Sequence, residues 1–380
     1  MAHEDMLTEE QSMMRGMVRD FCQSEVAPLA AETDAGRFPR ELAEKMARLG
    51  LLGMTAPAEY GGGGADEVSV ALVMEEISAV CPSLSVVFAV QNSLVCAPLS
   101  RYGSEAQKNE ILRALARGEK LGCFALSEPS SGSDAAALQT RAQRAGGGWR
   151  IEGDKRFISN AREADLFLIF ATVDPERGHK GISAFIAETG ASGFEVGRAE
   201  EKMGMGGSSA CDLRFDRLEL PIDSLLGEEG QGFEIAMTTL DVGRIGVAAQ
   251  AVGFARAGFE ASVAYARVRE SFGKPISRHQ AVQWKVADMA VGIDAARLLY
   301  LKAARLKDAG RPFSADASMA KVFASDMAQR AVSEAVQIHG GNGYMKEYPV
   351  EKFFRAAKAT QIYEGTNEIL RLVIAKHLLE

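Results

Sequence analysis

Leu166-Phe-Leu-Ile-Phe-Ala-Thr-Val173 is the longest of six short runs rich in Phe, Ile, Leu and Val that glycine, aspartate and proline separate. Such runs are typical of β-strands, and three glycines at 146–148 form a hairpin signal between two of them. No stretch of helical periodicity separates the runs, which argues against a parallel βαβ sheet. We therefore predict a compact antiparallel sheet or barrel. The other runs are 123–126, 140–144, 149–152, 182–187 and 213–218.

Helical patterns lie on both sides of this region. Thr8 and Gln11 form a capping box, after which apolar residues recur at helical spacing. Further helices are predicted after Pro39 and at 66–80, 83–102 and 104–118. Residues 233–269, 280–309, 314–338 and 366–379 predict a four-helix bundle. The predicted fold is α+β and mainly α, with an N-terminal α-helical domain (1–119), a middle domain with an antiparallel sheet or barrel (120–226) and a C-terminal four-helix bundle (227–380).

Composition excludes several classes of protein. The 380 residues carry 43 basic and 51 acidic side chains and no long basic run, so we expect no nucleic-acid partner. The five cysteines form no Cys-x-x-Cys pair, which favours reduced thiols and a cytoplasmic location. Residues 1–11 are acidic and polar, unlike a targeting peptide. The apolar stretch 84–99 is interrupted by polar residues and is shorter than the roughly 20 residues of a bilayer span, so no membrane insertion is expected.

No motif supports metal, serine-hydrolase or nicotinamide chemistry. The only Glu-x-x-His, Glu176 to His179, lies in a predicted loop, and the five histidines are widely spaced, so we predict no metal site. A Gly-x-Ser-x-Gly elbow is missing. The glycines at 204–207 precede a predicted strand, whereas a dinucleotide fingerprint joins a strand to a helix.

Three segments combine polar, glycine and aromatic residues in patterns that suit a bound heterocycle or phosphate. In 124–134 (FALSEPSSGSD) a strand leads into a loop whose N–H groups and hydroxyls can bind such groups. Phe157-Ile-Ser-Asn160 places an aromatic ring before a hydroxyl, and Arg269 is placed to pair with a phosphate. Each pattern also has an ordinary interpretation: a strand end with hydroxyl turns, a core aromatic, or a solvated arginine at a helix C-terminus.

Two C-terminal stretches, 337–344 (QIHGGNGY) and 361–368 (QIYEGTNE), form a fourth candidate site. The second stretch contains the candidate base Glu364. Glu364 directly precedes a helix that Thr366 or Asn367 would cap. Free N–H groups at a helix start bind anions or polarised carbonyls. A carboxylate beside them is placed to take a proton from the α-carbon of a carbonyl compound. The alternative is a capped turn without a chemical role.

Taken in order, these segments resemble the acyl-CoA dehydrogenase family over nearly the whole chain. The resemblance implies the three-part fold above with a middle antiparallel β-barrel domain. It also implies non-covalent FAD between barrel and bundle, and a homotetramer built as a dimer of dimers. It also implies oxidation of an acyl-CoA to a trans-2-enoyl-CoA, with two electrons passed to electron-transfer flavoprotein. The motifs that carry the resemblance are Leu126-Ser-Glu-Pro-Ser-Ser-Gly-Ser-Asp134, Lys202-Met-Gly-Met-Gly-Gly-Ser-Ser209, and residues 240–250, 269–276, 337–341 and 362–368.

The resemblance also assigns roles to individual residues. Glu364 matches the catalytic base, which takes the α-proton while the β-hydrogen leaves as hydride to flavin N5. The residues expected to line the flavin are Phe124, Ala125, Leu126, Ser127, Gly132, Ser133, Phe157, Ile158 and Ser159. Those expected near the pyrophosphate and adenosine are Thr366, Asn367 and Glu368. Those expected to reach the FAD of a neighbouring subunit are Arg269, Phe272, Gln280, Gln337, Ile338, His339, Gly340 and Gly341. Those expected to contact the acyl-CoA are Ser133, Asp241, Val242, Gly243, Arg244 and Gly365.

Two positions depart from the usual pattern of the family. Phe157 stands where many relatives have Trp, and Asn367 replaces a common Ser. Neither change removes a catalytic group. The C-terminal region from Ala317 resembles short-chain and 2-methyl-branched members most. The alternatives are an acyl-CoA oxidase that uses the same base and flavin with oxygen, and an inactive scaffold of the same fold.

Overall fold

The N-terminal part of the chain is helical, as predicted. The computed structural model describes residues 6–380. Thr8 and Gln11 form the predicted capping box at the start of α1, and Ser104 and Gln107 form a second one. Turns of π-helix at Cys22–Val26, Val90–Cys96 and Lys108–Leu112 continue the helices they follow. The helices are α1 Glu9–Phe21, α2 Ala30–Asp34, α3 Arg40–Arg48, α4 Glu67–Ser78, α5 Pro82–Ala89, α6 Ala97–Tyr102, α7 Glu105–Gln107 and α8 Arg113–Ala116.

One helical segment of this region, Pro82–Tyr102, is long and apolar enough to cross a membrane by length and composition. Its mean hydropathy reaches 1.4, but 78% of the apolar window is buried within the protein. Such burial is the environment of a core helix. Within residues 6–380 no other helix meets these criteria.

The middle of the chain forms a β-sheet. Each of the six predicted runs overlaps a strand, and two further strands, β6 and β8, were not predicted. β3 is longer than predicted because a bulge between Lys155 and Ile158 lets the pairing with β7 continue. The strands are β1 Gly122–Ala125, β2 Arg141–Ala145, β3 Gly148–Ser159, β4 Leu166–Thr172, β5 Ile182–Glu188, β6 Phe194–Ala199, β7 Ala210–Leu220 and β8 Leu225–Leu226.

The structure corrects the predicted antiparallel barrel: the sheet is mixed and open. Its strand order is β6-β7-β3-β2-β4-β5-β8, and the end strands β6 and β8 do not pair with each other. β1 pairs with β4 in parallel, with Gly122 opposite Leu166. The connection between these two strands contains the β2–β3 hairpin and a single 3-10 turn, so a parallel pair arises here without an intervening α-helix.

The C-terminal part is a helical bundle with one helix more than predicted. α9 and α11 are its most extensively packed pair. The additional helix, α12, precedes the loop that carries Glu364. A short hairpin of β9 (Glu270–Ser271) and β10 (Lys274–Pro275) joins the first two helices. The helices are α9 Gly232–Val268, α10 Gln280–Asp308, α11 Ser314–His339, α12 Val350–Thr360 and α13 Asn367–Leu379.

Strand β4 is buried on both faces of the sheet. Leu166, Leu168 and Phe170 pack on the face that meets helices of both helical regions, including α9. Phe167 and Ile169 point to the opposite face, into a core built from the sheet itself. A strand buried on both faces is a continuous apolar run. The apolar run of β4 therefore places the sheet against the helices, and a cavity remains at that junction.

Candidate active site

The cavity at the sheet–helix junction has a volume of about 220 Å³. One wall comes from β1, its following loop and the end of β3. The other comes from the N-terminal helices, α9 and the loop between α12 and α13. Predicted site residues on its wall are Phe124, Leu126, Ser127, Gly132, Ser133, Phe157, Ile158, Ser159, Arg244, Glu364 and Gly365. Side chains that the sequence analysis missed are Met74, Val86, Ala89, Val90, Leu94, Ala135, Met237, Leu240, Val247, Gln250, Tyr363 and Ile369.

A buried ion pair fixes the loop after β1. Lys155 is fully buried, and its ammonium donates to Glu128 Oε1 at 2.7 Å and to the Leu126 carbonyl at 3.2 Å. Glu128 also accepts from the backbone N–H groups of Gln139 (2.5 Å) and Thr140 (3.0 Å). Burial lowers the pKa of Lys155 to about 8, although Glu128 opposes this shift. The pair therefore ties the loop that lines the cavity to β2 and β3.

Phe157 presents its ring at the cavity from a strained position. Its φ is +59°, at the bulge in β3, and the residue is 62% exposed. Non-glycine residues rarely adopt such a backbone, and strain of this kind concentrates at functional sites. The Arg156 guanidinium lies 4.9 Å from the ring centroid. An exposed ring beside the Ser159 hydroxyl is suited to contact a planar ligand.

Glu364 enters the cavity from the loop between α12 and α13. Its φ is +54° and that of Gly365 is +96°, so the chain makes a left-handed turn before Thr366 caps α13 through Ile369 N–H (3.4 Å). The carboxylate reaches across to α9: a Cβ added at Gly243 would lie 2.0 Å from Glu364 Oε2. A side chain at residue 243 would thus exclude the carboxylate from this position.

The Glu364 carboxylate is desolvated but not paired. Its Oε2 is buried and has no hydrogen-bond partner in the described part of the chain. Burial raises the pKa of Glu364 to about 7, while the charges of Arg244 and Lys321 act in the opposite direction. A base with a pKa near the operating pH is the most effective kind. This arrangement therefore suits proton abstraction.

Arg244 links the predicted substrate residues to Glu364. Its Nε donates to the Glu364 carbonyl at 3.3 Å, and its guanidinium pairs with Asp241. Asp241 also accepts from Ser314 Oγ at 2.8 Å. Asp241 and Val242 do not line the cavity themselves. Asp241 thus reaches the site only through Arg244.

The structure turns two predicted flavin or adenosine residues away from the cavity. Ala125 lies in the core on the opposite face of the sheet, because alternate residues of β1 point to opposite sides. Asn367 is 2% exposed and points into the bundle, where its amide bonds Lys321, Ser325 and Asp326. Its own N–H donates to the Gln361 carbonyl at 3.1 Å. The Asn367 side chain therefore makes its hydrogen bonds inside the bundle, whereas Glu368 is exposed in the first turn of α13.

The residues predicted to reach a neighbouring subunit lie at the far end of the bundle, away from this cavity. Phe272, in the β9–β10 turn, is 93% exposed. His339 is instead buried, stacked on Tyr265 with the ring centroids 4.3 Å apart, and Ile338 is buried beside it. The remaining members of this group are exposed: Arg269, Gln280, Gln337, Gly340 and Gly341.

The cavity has the donors that a planar cofactor needs. Ser127, Ser133 and Ser159 line it, and none of their hydroxyls has a hydrogen bond to another residue within 6–380. The same range contains no group of three His, Cys, Asp or Glu that could hold a metal ion. The cavity wall offers hydroxyls, backbone groups, aromatic rings, the Arg244 guanidinium and one carboxylate.

Comparisons with known proteins give the same result as the motifs. Three domain models match nearly the whole chain: the acyl-CoA dehydrogenase N-terminal domain over 8–119, the middle domain over 123–218 and the C-terminal domain over 230–379. The chain belongs to the acyl-CoA dehydrogenase family. The predicted family is thus confirmed, and with it the order of helical, β and helical regions.

Individual members of the acyl-CoA dehydrogenase family are similar along their full length. The short-chain-specific acyl-CoA dehydrogenase of Clostridium acetobutylicum is 46% identical over 97% of this chain and 98% of its own. The structure of butyryl-CoA dehydrogenase from Megasphaera elsdenii is 44% identical, with a TM-score of 0.96, covering 98% of this chain and 99% of that chain. A chain in the structure of the electron-transferring flavoprotein of Acidaminococcus fermentans is 46% identical with a TM-score of 0.97, over 98% and 99% of the two chains.

Proposed function

We propose that this protein is an FAD-dependent dehydrogenase of short acyl-CoA thioesters, with a trans-2-enoyl-CoA as product. The observation that carries the proposal is the Glu364 carboxylate at the wall of the cavity, whose Oε2 is buried and has no hydrogen-bond partner within residues 6–380. Membership in the acyl-CoA dehydrogenase family supplies the reaction class. Similarity to short-chain and butyryl-CoA enzymes supports a short acyl chain.

The residues present fit FAD. The hydroxyls of Ser127 and Ser159 would bond the edge of the ring system, and the exposed Phe157 ring would lie against it. The loop of residues 126–134 would be held in place by the Glu128–Lys155 pair. FAD, when bound, accepts the hydride that leaves the β-carbon.

Glu364 would remove the α-proton of the thioester. An α-hydrogen is weakly acidic, so negative charge that develops on the thioester oxygen must be stabilised by hydrogen-bond donors. The backbone N–H of Glu364 donates to no described residue and is available for this purpose. The buried carboxylate, with its pKa raised to about 7, takes the proton at Oε2 or Oε1. Water is excluded by the apolar side chains of α5 and α9 that line the cavity.

We further propose that the enzyme works as a homotetramer in the cytoplasm and passes its electrons to electron-transfer flavoprotein. The exposure of Phe272 and Arg269 at the β9–β10 turn supports a subunit contact at that end. Similarity to a chain from the structure of an electron-transferring flavoprotein supports the acceptor.

The test is anaerobic mixing of the holoenzyme with a panel of acyl-CoA thioesters. Short saturated thioesters such as butyryl-CoA should bleach the flavin absorbance at 450 nm within the turnover time. The product mixture should then contain the trans-2-enoyl-CoA. A yellow enzyme that no acyl-CoA bleaches would contradict the proposal. Rapid reoxidation of the reduced enzyme–product complex by air would indicate the oxidase alternative instead.

A further inference from the structure

Lys321 of α11 is a fully buried lysine directly behind the loop that carries Glu364. Its exposure is 0%, and its Nζ donates to the Gly365 carbonyl at 2.8 Å and to Asn367 Oδ1 at 2.9 Å. Both acceptors belong to the three residues that follow Glu364. Asn367 is in turn held by Ser325 Oγ at 2.9 Å. The ammonium therefore fixes the chain immediately after the base.

Burial of a lysine without a carboxylate partner is costly, so its position calls for an explanation. The described part of the chain places no carboxylate within ion-pair distance of Lys321. Desolvation lowers the pKa of Lys321 to about 8, and the charge of Glu364 is the largest influence that raises it. The principal electrostatic partner of Lys321 is thus the base itself.

The other charges around Glu364 and Lys321 are already balanced. Arg244 on α9 is paired with Asp241. Asp326 on α11 is paired with Arg371 of α13 at 2.7 Å. Glu368 at the start of α13 is exposed to solvent. Lys321 lies next to the base, and within residues 6–380 no other carboxylate neutralises the positive charge of Lys321.

We propose that Lys321 is a positioning residue for the base. Its ammonium holds the Gly365 carbonyl and the Asn367 amide, so that the left-handed turn directs the Glu364 carboxylate towards Gly243. Its positive charge also favours the ionised, proton-accepting form of that carboxylate. The inference rests on the proposed function, since it concerns the same base.

The proposal makes a pH-dependent prediction. The base acts when it is ionised, so the rate rises with pH through the pKa of Glu364. Loss of the Lys321 charge raises that pKa further, because desolvation is then opposed by Arg244 alone. The ascending part of the pH profile therefore moves to higher pH. A residue that only supported packing would lower the rate equally at every pH.

The experiment compares Lys321→Met and Lys321→Gln with the parent holoenzyme. Lys321→Gln keeps a hydrogen-bond donor near the Gly365 carbonyl but lacks the charge. The pH dependence of kcat/KM for butyryl-CoA is measured between pH 6 and pH 9. The ratio of the rate at pH 6 to the rate at pH 9 should fall about eightfold in both variants, the change expected if the pKa of the base rises by one. If Lys321→Met does not retain FAD, the comparison uses Lys321→Gln.

Lys352→Met is the matched control. Lys352 lies on the neighbouring helix α12 and donates to the Val80 carbonyl at 3.2 Å, with a pKa that burial also lowers. Its variant should leave the shape of the pH profile unchanged. A profile with unchanged shape in the Lys321 variants as well would overturn the proposal.

A second readout separates this proposal from the proposed function. Difference infrared spectra between the parent and Glu364→Gln identify the protonated carboxyl band of Glu364 without any substrate. Its titration should move to higher pH in the Lys321 variants. An unmoved titration would contradict the role of Lys321 whether or not the enzyme oxidises acyl-CoA. Failure of the parent to bleach with any thioester would contradict the function alone.

Discussion

At Glu364, burial, an unusual backbone and the lack of a hydrogen-bond partner coincide in one side chain. An ionised carboxylate that is desolvated and unpaired costs free energy. The fold tolerates this cost because the turn is fixed on both sides, by Arg244 on the Glu364 carbonyl and by Lys321 on the Gly365 carbonyl. Gly243 provides the space. Strain and a raised pKa in one cavity residue are the features expected of a catalytic base.

Gly243→Ala should displace the base. The added Cβ would lie 2.0 Å from Glu364 Oε2, so the carboxylate must move by more than 1 Å. We expect kcat to fall by about 10²-fold, the scale for a misplaced reacting group, while FAD content stays unchanged. Gly246→Ala on the same helix is the control, since its Cβ would meet only Met74 Cε at 3.7 Å and Ser93 Oγ at 4.0 Å. Equal kinetics for the two variants would contradict the assigned position of the carboxylate.

Glu364→Gln should stabilise the holoenzyme at high pH. The pKa of Glu364 is raised from 4.5 to about 7 on folding, so its ionisation is destabilising. This cost is fully present above pH 7 and disappears below pH 4.5. The Gln variant should be more stable by about 1–3 kcal/mol at pH 8, and most of that gain should be lost near pH 5. Thermal unfolding of the variant and the parent at the two pH values measures the difference in stability. A variant that is more stable than the parent at pH 5 but not at pH 8 would contradict this expectation.

Among the elements, the β1 loop depends most on a single buried interaction. The Glu128–Lys155 pair joins the loop to the residues directly before β2 and to β3. Removal of one member of such a pair leaves an uncompensated charge in the interior. The loop that carries Ser127 and Ser133 should therefore be sensitive to either residue.

Lys155→Met alone should destabilise the middle region by about 3–5 kcal/mol, and Glu128→Leu combined with Lys155→Met should restore most of that loss. The measurement is urea unfolding followed by Trp149 fluorescence in a Trp284→Phe background, because the chain has 2 tryptophans. Glu219→Ala is the control: its pair with Arg150 on the same sheet is exposed, so its effect should stay below about 1 kcal/mol. Additive single effects would show that the pair is not coupled.

The sequence was most informative where chemistry and local geometry agree. Glu364, Ser127 and Ser159 were predicted from motifs and line one cavity, and the caps at Thr8 and Thr366 follow local rules. The mixed sheet was not predicted, because the parallel β1–β4 pair depends on long-range register. The buried roles of the two lysines, Lys155 and Lys321, were not predicted either, since lysine is almost always exposed.

At the scale of the whole molecule, the N-terminal helices and the bundle share one core. Glu75 of α4 accepts from Arg297 Nη2 at 2.8 Å and from Tyr300 Oη at 2.7 Å on α10, and it pairs with Arg256 of α9. These cations hold the pKa of Glu75 low, at about 2, despite its burial. The sheet packs on this helical body, and the cavity lies between the two. The exposed end of the bundle is where we propose the contact with a second copy of the chain.

Arg269→Ala should weaken FAD retention and oligomerisation together if that end completes the cofactor site of a neighbouring subunit. We expect more apo-protein after gel filtration and a shift to smaller species at low protein concentration. Arg267→Ala is the control, because Arg267 is exposed in the last turn of the same helix. Full FAD content together with an unchanged elution volume would contradict the intersubunit role.

The proposed reaction depends on Glu364 as the base that removes the α-proton. The most direct measurement is anaerobic stopped-flow reduction of the flavin by butyryl-CoA in Glu364→Gln, with Glu347→Gln as a control at an exposed carboxylate of the same region. We expect the Gln variant to bind FAD normally and to be reduced about 10²–10⁴-fold more slowly than the parent. Reduction at a rate close to that of the parent would mean that another group is the base.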